Sequence, residues 1–107
     1  MIPNEKITDC PVATTINLIG SKWKLLIIRD LTGGKKRFGE LRKSLTGISQ
    51  RVLTQSLREL ESDGLIDRAV YAEVPPRVEY TLSDLGKTLK PIIDSMYEWG
   101  TNYKASL

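Results

Sequence analysis

Histidine is absent from the 107 residues, and cysteine occurs once, as Cys10. The absence of histidine removes the most common general base and the most common metal ligand. A single thiol builds neither an internal disulfide nor a zinc site. We therefore expect no catalytic residues, no metal and no cofactor. A small enzyme with Cys10 as its nucleophile is a rival hypothesis that lacks the usual histidine base.

Long hydrophobic runs are also absent. No apolar stretch approaches the about 18 residues that a membrane-spanning helix needs. The N-terminal sequence MIPNEKITDCPV lacks the basic and then apolar pattern of a secretory signal. The sequence thus predicts one cytoplasmic domain over residues 1–107, with no membrane partner.

Positive charge is concentrated in one segment, although the net charge is only +3. Between positions 35 and 51 the only acid is Glu40, and six residues are basic: Lys35, Lys36, Arg37, Arg42, Lys43 and Arg51. Such a cluster favours contact with phosphate groups. An ordinary solvated surface is the alternative for Lys35, Lys36 and Arg37.

Helical periodicity organises the first half of the chain. The pattern predicts a helix from Pro11 to about Ile19, where proline suits the first helical position. A mostly apolar helix, KWKLLIIRDL (22–31), follows and is expected to be the central core element. The segment KKRFGELRKSL (35–45) then predicts a short amphipathic helix.

The segment GISQRVLTQSLRELESDGLI (47–66) predicts a helix with clear boundaries. Thr46 and Gly47 form a tight turn before it. Ser49 suits the N-cap position, and Gly64 suits the left-handed position just past the last turn. The helix therefore follows the preceding short helix as the second half of a helix-turn-helix.

One face of this helix carries amide, hydroxyl and guanidinium groups and no carboxylate: Gln50, Arg51, Thr54, Gln55 and Arg58. Glutamine can bind adenine through two hydrogen bonds, and arginine can bind guanine in the same way. Ser49, Gln50 and Arg51 also lie at the positive N-terminal end of the helix, which attracts phosphate. The acids of the helix are expected in its last turns, away from DNA: Glu59, Glu61 and Asp63. Solvated surface is again the alternative.

Two alternating runs predict a β-hairpin, from Ile66 to Val74 and over RVEYTL (77–82). Pro75 and Pro76 cannot donate ladder hydrogen bonds, so they belong at its tip. A hairpin behind a helix-turn-helix is a wing, and the second helix of such a unit enters the major groove of DNA.

Arg77 lies beside the predicted tip of the wing. Contact with the minor groove or its phosphates is one role for this side chain, and a cross-strand pair with Glu73 or Glu79 is the other. The predicted DNA-binding residues are Lys35, Lys36, Arg37, Ser49, Gln50, Arg51, Thr54, Gln55, Arg58 and Arg77.

A final helix is predicted from near Ser83, with a bend at Pro91. Its apolar residues recur every three or four positions: Leu85, Leu89, Ile92, Met96, Trp99 and Tyr103. Together with the first helix, this seam is a predicted dimer interface of Val12, Ile16, Leu89, Ile92, Met96, Trp99 and Tyr103. Residues 1–20 and 83–107 are then the dimerisation segments, and packing of the seam on its own domain is the alternative. The fold class is mainly α with a small β-hairpin: a winged helix-turn-helix with a three-helix core, a wing and terminal dimerisation helices.

Cys10 immediately precedes Pro11 and falls near the N-cap of the first helix. Helix N-termini lower the pKa of thiols and raise their reactivity, and the neighbouring Asp9 opposes this effect. Cys10 is either a sensor of oxidants or electrophiles, or a small residue at a helix start.

The chain resembles the HxlR-type family of bacterial winged-helix transcription regulators, which are relatives of the MarR type. The matching stretches follow the family's order: CPV (10–12), IGSKWKLLIIRDL (19–31), GKKRFGEL (34–41), GISQRVLTQSLRELESDGLI (47–66), AEVPPRVEYTLSDLG (72–86) and WG (99–100).

This resemblance implies a homodimer that binds inverted-repeat operators in double-stranded DNA and represses or activates adjacent genes. It assigns base recognition to the helix with Ser49, Gln50, Arg51, Thr54 and Gln55, and wing contact to the segment around Arg77. In some members a cysteine at the position of Cys10 senses oxidants, quinones or aldehydes. We therefore predict a sequence-specific DNA-binding regulator that responds to a small-molecule or oxidant signal, with either Cys10 or a small hydrophobic pocket near the dimer interface as the switch. A winged-helix protein-interaction module without specific DNA binding is the alternative.

Overall fold

The computed structural model describes residues 4–107, and residues 1–3 of the predicted N-terminal dimerisation segment lie outside this range. A short 3-10 helix at Asn4–Lys6 precedes the other elements. In chain order these are α1 (Pro11–Ile19), α2 (Lys22–Leu31), β1 (Lys36–Arg37), α3 (Phe38–Ser44), α4 (Gln50–Ser62), β2 (Ile66–Tyr71), β3 (Arg77–Leu82), α5 (Asp84–Lys87) and α6 (Lys90–Ala105). The predicted fold class, a mainly α winged helix-turn-helix, is confirmed.

The core lies where α2, α3 and α4 pack together against the sheet. Its buried residues repeat at helical spacing on α2 and α4, and the largest apolar side chains that are fully buried are Ile27, Ile28, Leu41, Leu45, Leu53, Leu60 and Ile66. Removing an aliphatic side chain of this size from water stabilises a fold by roughly 1.5–3 kcal/mol. The apolar helix α2 is the central core element, as its composition predicts.

Both ends of α4 are fixed by residues next to them in the sequence. Ser49 is the N-cap, and its Oγ accepts a hydrogen bond from the Val52 amide at 3.1 Å. At the other end Gly64 has a φ of +78°, and the Leu65 amide donates to the Leu60 carbonyl at 2.9 Å. This pattern is a Schellman motif, which satisfies carbonyl groups that the helix leaves without partners. Both predicted boundaries are confirmed.

The sheet of residues 4–107 has three antiparallel strands in the order β1-β3-β2, so the prediction of a two-stranded hairpin misses one strand, β1. Lys36 pairs with Tyr80 and Arg37 pairs with Glu79, so the prediction that the short helix starts at position 35 is wrong. Pairing satisfies backbone groups along one edge of β3, and α3 begins only at Phe38.

The wing is also shorter than predicted. Strand β2 ends at Tyr71, which pairs with Arg77, the first residue of β3. The strand prediction to Val74 is therefore wrong by three residues. Pro75 and Pro76 lie in the connecting loop, as predicted from their missing amide hydrogens.

The predicted single C-terminal helix is two helices. Ser83 caps α5, and its Oγ accepts from the Gly86 amide at 3.0 Å. Helix α6 begins at Lys90, with Pro91 in its first turn. Proline suits the first turn because no intrahelical amide bond is lost there. The helix is therefore interrupted between Lys87 and Lys90, before Pro91, and the prediction of one helix bent at Pro91 is wrong.

Candidate nucleic-acid interface

A tight turn joins α3 to α4 and sets the direction of α4. The Ile48 amide donates to the Leu45 carbonyl at 3.0 Å, and Gly47 has a φ of +91°. Side chains rarely adopt this conformation, so glycine fits the turn. The predicted turn at Thr46 and Gly47 is confirmed, and α3, the turn and α4 form a helix-turn-helix.

The polar side chains predicted on α4 meet on one open surface, which we term the α4 face: Gln50, Arg51, Thr54, Gln55 and Arg58. Thr54 is half-buried and the other four are exposed. Ser49 borders this face, and its hydroxyl oxygen already accepts the capping hydrogen bond. The α4 face therefore offers amide, hydroxyl and guanidinium groups together.

Glu59 lies in the last turns of α4, as predicted, but it contacts Gln55, so the expectation that the acids stand apart from the α4 face is wrong for this residue. Glu61 lines a neighbouring hollow together with Thr54 and Arg58. Gln55 Nε2 donates to Glu59 Oε2 at 2.9 Å, because residues four apart share a side of a helix. Lys24 Nζ donates to Glu59 Oε1 at 2.6 Å. Hydrogen bonds from Lys24 and then Gln55 hold the pKa of Glu59 below its ordinary value. Lys24 is 35 positions from Glu59, and no local sequence signal predicts their contact.

The basic segment lies at the start of α3 and along β1. Lys35 Nζ is 3.6 Å from Glu79 Oε1. The Arg37 amide donates to Glu40 Oε1 at 2.9 Å, which satisfies an amide at the start of α3. Within residues 4–107, the side chains of Lys36 and Arg37 form no ion pair. Their charges are therefore free to meet phosphate groups.

Arg77 is engaged within the wing. Its guanidinium group lies 3.4 Å from a carboxylate oxygen of Glu73 and 3.4 Å from one of Glu79. Its central carbon is 4.0 Å from the centroid of the Tyr71 ring, a cation–π arrangement. Of the two roles open to Arg77, the structure shows the pairing with glutamate, but the predicted cross-strand geometry is wrong, because Glu79 lies on β3 with Arg77 and Glu73 lies in the connecting loop. Contact with DNA stays a prediction.

Cys10 lies at the N-cap of α1, where its position predicts it, and is exposed. The segment before it is tied to the end of α4, because Lys6 forms an ion pair with the buried Asp63. This contact links residues 57 positions apart and is also missed by sequence reasoning.

The predicted interface seam is largely at the surface. Val12 and Ile16 of α1 are 67% and 59% exposed, and four apolar residues of α6 are exposed as well: Ile92, Met96, Trp99 and Tyr103. The rings of Trp99 and Tyr103 stack with centroids 5.3 Å apart. Leu89 differs because it packs partly against the core of its own chain. Tyr97 is a further exposed aromatic residue that the periodic pattern misses.

Residues 4–107 contain neither a membrane-spanning helix nor a cluster of metal ligands. None of the helices formed by these residues has the length and apolar character needed to cross a membrane. The same residues contain no group of three or more histidine, cysteine, aspartate or glutamate side chains placed to hold a metal.

Comparisons with known proteins agree with this geometry. A family model described as HxlR-like helix-turn-helix matches residues 18–106. YdeP of Bacillus subtilis strain 168, an uncharacterized HTH-type transcriptional regulator, is 55% identical over 101 residues, which cover 94% of this chain and 79% of YdeP.

Solved structures of two transcription regulators are similar to this chain in both sequence and fold. The redox regulator HypR in its oxidised form is 50% identical with a TM-score of 0.84, and the match covers 87% of this chain and 96% of HypR. The HTH-type regulator YtcD is 49% identical with a TM-score of 0.86, and the match covers 90% of this chain and 98% of YtcD.

Proposed function

The chain belongs to the HxlR-like helix-turn-helix family, and we propose that it is a sequence-specific DNA-binding regulator of transcription. It acts as a cytoplasmic homodimer rather than as an enzyme. The α4 face carries this proposal, because it groups base-reading side chains on the second helix of a helix-turn-helix.

The major groove, about 12 Å wide, admits an α-helix. Arg51, in the first turn of α4, suits guanine, and Gln50 and Gln55 suit adenine. Lys36 and Arg37 contact phosphates beside the groove, which fixes the register of α4 on the duplex without reading sequence.

Exposed apolar residues on α1 and α6 support the homodimer. Val12 and Ile16 lie on α1, and the stacked Trp99 and Tyr103 lie on α6. Aromatic residues are enriched where protein surfaces associate. A twofold dimer presents two α4 helices to half-sites about one helical turn, or roughly 34 Å, apart, and such a protein reads an inverted repeat.

A redox or electrophile signal through Cys10 is the second part of the proposal. Cys10 is exposed and starts the helix that carries Val12 and Ile16. Oxidation or alkylation of the thiol there would alter α1 at the dimer interface and hence the spacing of the two α4 helices. HypR, which is similar over most of its length, is a redox regulator.

Selection of genomic DNA fragments by the purified protein at physiological salt tests the function, with and without an oxidant. We expect recovery of a shared inverted repeat. Recovery of random fragments that modest salt releases would instead favour the protein-interaction module. Cys10→Ser is the matched control: it should select the same operator and keep binding it in oxidant. Equal loss of binding by both proteins in oxidant would reject a sensing role for Cys10.

A further inference from the structure

A chain of two hydrogen bonds connects the protein core to the α4 face, from Lys24 through Glu59 to Gln55. We propose that Glu59, anchored by Lys24, is a positioning residue that fixes the amide of Gln55 to read adenine at one operator position. This inference rests on the proposed function, because it concerns how the α4 face reads DNA.

Lys24 fixes one end of this pair of hydrogen bonds because its side chain is nearly buried and has little room to move. Its side chain is 11% exposed, and it lies on α2 beside the fully buried Ile27 and Ile28. A buried ammonium without a partner is unfavourable, so the 2.6 Å contact commits one oxygen of Glu59 to Lys24. The Glu59 carboxylate is thus held relative to the core rather than moving freely with an exposed side chain.

The chemistry of the carboxylate then decides the orientation of the Gln55 amide. An ionised carboxylate only accepts hydrogen bonds, so the amide nitrogen of Gln55, and not its oxygen, must face Glu59. The 2.9 Å bond uses one of the two amide hydrogens. When Glu59 accepts the hydrogen trans to the amide oxygen, the oxygen and the hydrogen cis to it remain, and these two lie side by side on one edge of the amide.

That edge offers one acceptor beside one donor. Adenine presents the complementary pair in the major groove, an N6 donor and an N7 acceptor. An unrestrained glutamine amide can turn over and exchange the two groups. Glu59 prevents this exchange and orders the side chain before DNA arrives, which reduces the entropy lost on binding.

Glu59→Gln reverses this arrangement without changing the shape of the side chain. Lysine donates only, so the new amide must turn its oxygen to Lys24 and its nitrogen to Gln55. Gln55 then turns its own oxygen inward and presents hydrogens to the groove. The base preference at its position should shift away from adenine, towards bases with acceptors such as guanine or thymine.

The test is selection from DNA libraries in which every operator position is randomised, using the full chain and its variants. Gln55→Ala identifies the position that Gln55 reads, where the unsubstituted protein should prefer adenine. Glu59→Gln should lower that preference roughly tenfold and leave the other positions unchanged. In the Gln55→Ala background, Glu59→Gln should add no further change at that position.

A purely structural role for Glu59 predicts a different result. If Glu59→Gln lowers the base preference evenly at all operator positions, or leaves it unchanged at every position, the inference is overturned and the proposed function stays intact. The same holds if Gln55→Ala changes no position. If Glu59→Gln does not fold, the Lys24→Met, Glu59→Gln double variant replaces it, and it should lose the adenine preference because nothing orients the substituted amide there. Failure of the unsubstituted protein to select any shared sequence would overturn the proposed function and, with it, this inference.

Discussion

At the scale of single residues, we expect base contacts and phosphate contacts to come from different parts of the interface. Arg51 is exposed in the first turn of α4, whereas Lys36 lies on β1. We expect Arg51→Ala to weaken operator binding by about 1–3 kcal/mol and to relax the base preference at one position. Lys36→Ala should weaken binding to operator and random DNA alike. It should also reduce the slope of log affinity against log salt concentration by about one. Titrations of both duplexes at several salt concentrations check this, and equal losses on the two DNAs for Arg51→Ala would make Arg51 a phosphate contact.

Glu59 also gives the fold a pH dependence whose sign follows from its pKa. The hydrogen bonds from Lys24 and then Gln55 lower the pKa of Glu59 below its ordinary value. A carboxyl group with a lowered folded-state pKa stabilises the fold above its unfolded pKa, and this contribution is lost as pH falls through the folded pKa. At neutral pH, Glu59→Gln should therefore reduce the free energy of unfolding by about 0.5–1 kcal/mol, a small value because the exposed part of the pair is screened by solvent.

In acid this difference from the unsubstituted protein should decrease, because a protonated Glu59 resembles glutamine. Urea denaturation at neutral pH and near pH 3 measures both differences. Glu61→Gln, at an exposed position on the same helix, is the control and should show little effect at either pH. A difference of equal size at both pH values for Glu59→Gln would contradict the argument.

At the scale of elements, Gly86 sets how closely α5 approaches the start of the wing. A methyl group on Gly86 would overlap the Leu65 carbonyl and lie 3.3 Å from Leu82 Cδ2. Since the overlapping atom belongs to the backbone, Gly86→Ala must displace α5, and we expect a loss of about 1–3 kcal/mol in unfolding free energy. Gly39→Ala is the control, because nothing lies within 4 Å of the added methyl group. It should be neutral or stabilising by up to about 1 kcal/mol. Equal effects of the two changes in chemical denaturation would rule out the overlap as the cause.

The elements also show what sequence can predict here. Helix α4 was predicted with both ends because Ser49 and Gly64 act on their immediate neighbours. Strand β1 was not, because its two residues become a strand only by pairing with β3, more than 40 positions later. The α4 face followed from helical spacing within one segment. The contact between Lys24 and Glu59 did not, since Lys24 lies on a different helix, 35 positions away.

At the scale of the whole molecule, α6 carries an apolar seam that its own chain leaves exposed. Within residues 4–107, no residue of α6 is fully buried, although the helix has 16 residues and so extends about 24 Å. Trp99 is 70% exposed and stacks on Tyr103. Large exposed apolar patches mark surfaces that bind other molecules. A second copy of the chain, bound through α1 and α6, would cover these residues and place two α4 helices on one DNA.

Trp99→Glu tests this arrangement, because the side chain contributes little to its own core and the variant should stay folded. A central aromatic residue typically contributes at least about 2 kcal/mol to an interface, and a charge in its place adds the unfavourable burial of a carboxylate. Sedimentation should show a dimer of two 12.0 kDa chains for the unsubstituted protein and monomers for Trp99→Glu. Thr101→Glu is the matched control, since Thr101 lies with Asp94 and Glu98 on another side of α6. It should remain dimeric.

The same pair of variants connects assembly to DNA recognition. A dimer binds both halves of an inverted repeat at once, so the second contact forms at a high effective concentration. The monomeric Trp99→Glu should therefore bind a full operator little better than a half-site, while Thr101→Glu keeps the preference for the full operator. The α4 face is unchanged in both variants, so half-site affinity should be equal. A dimeric Trp99→Glu, or one that keeps the full-operator preference, would show that the two α4 helices are held together by a surface other than this seam.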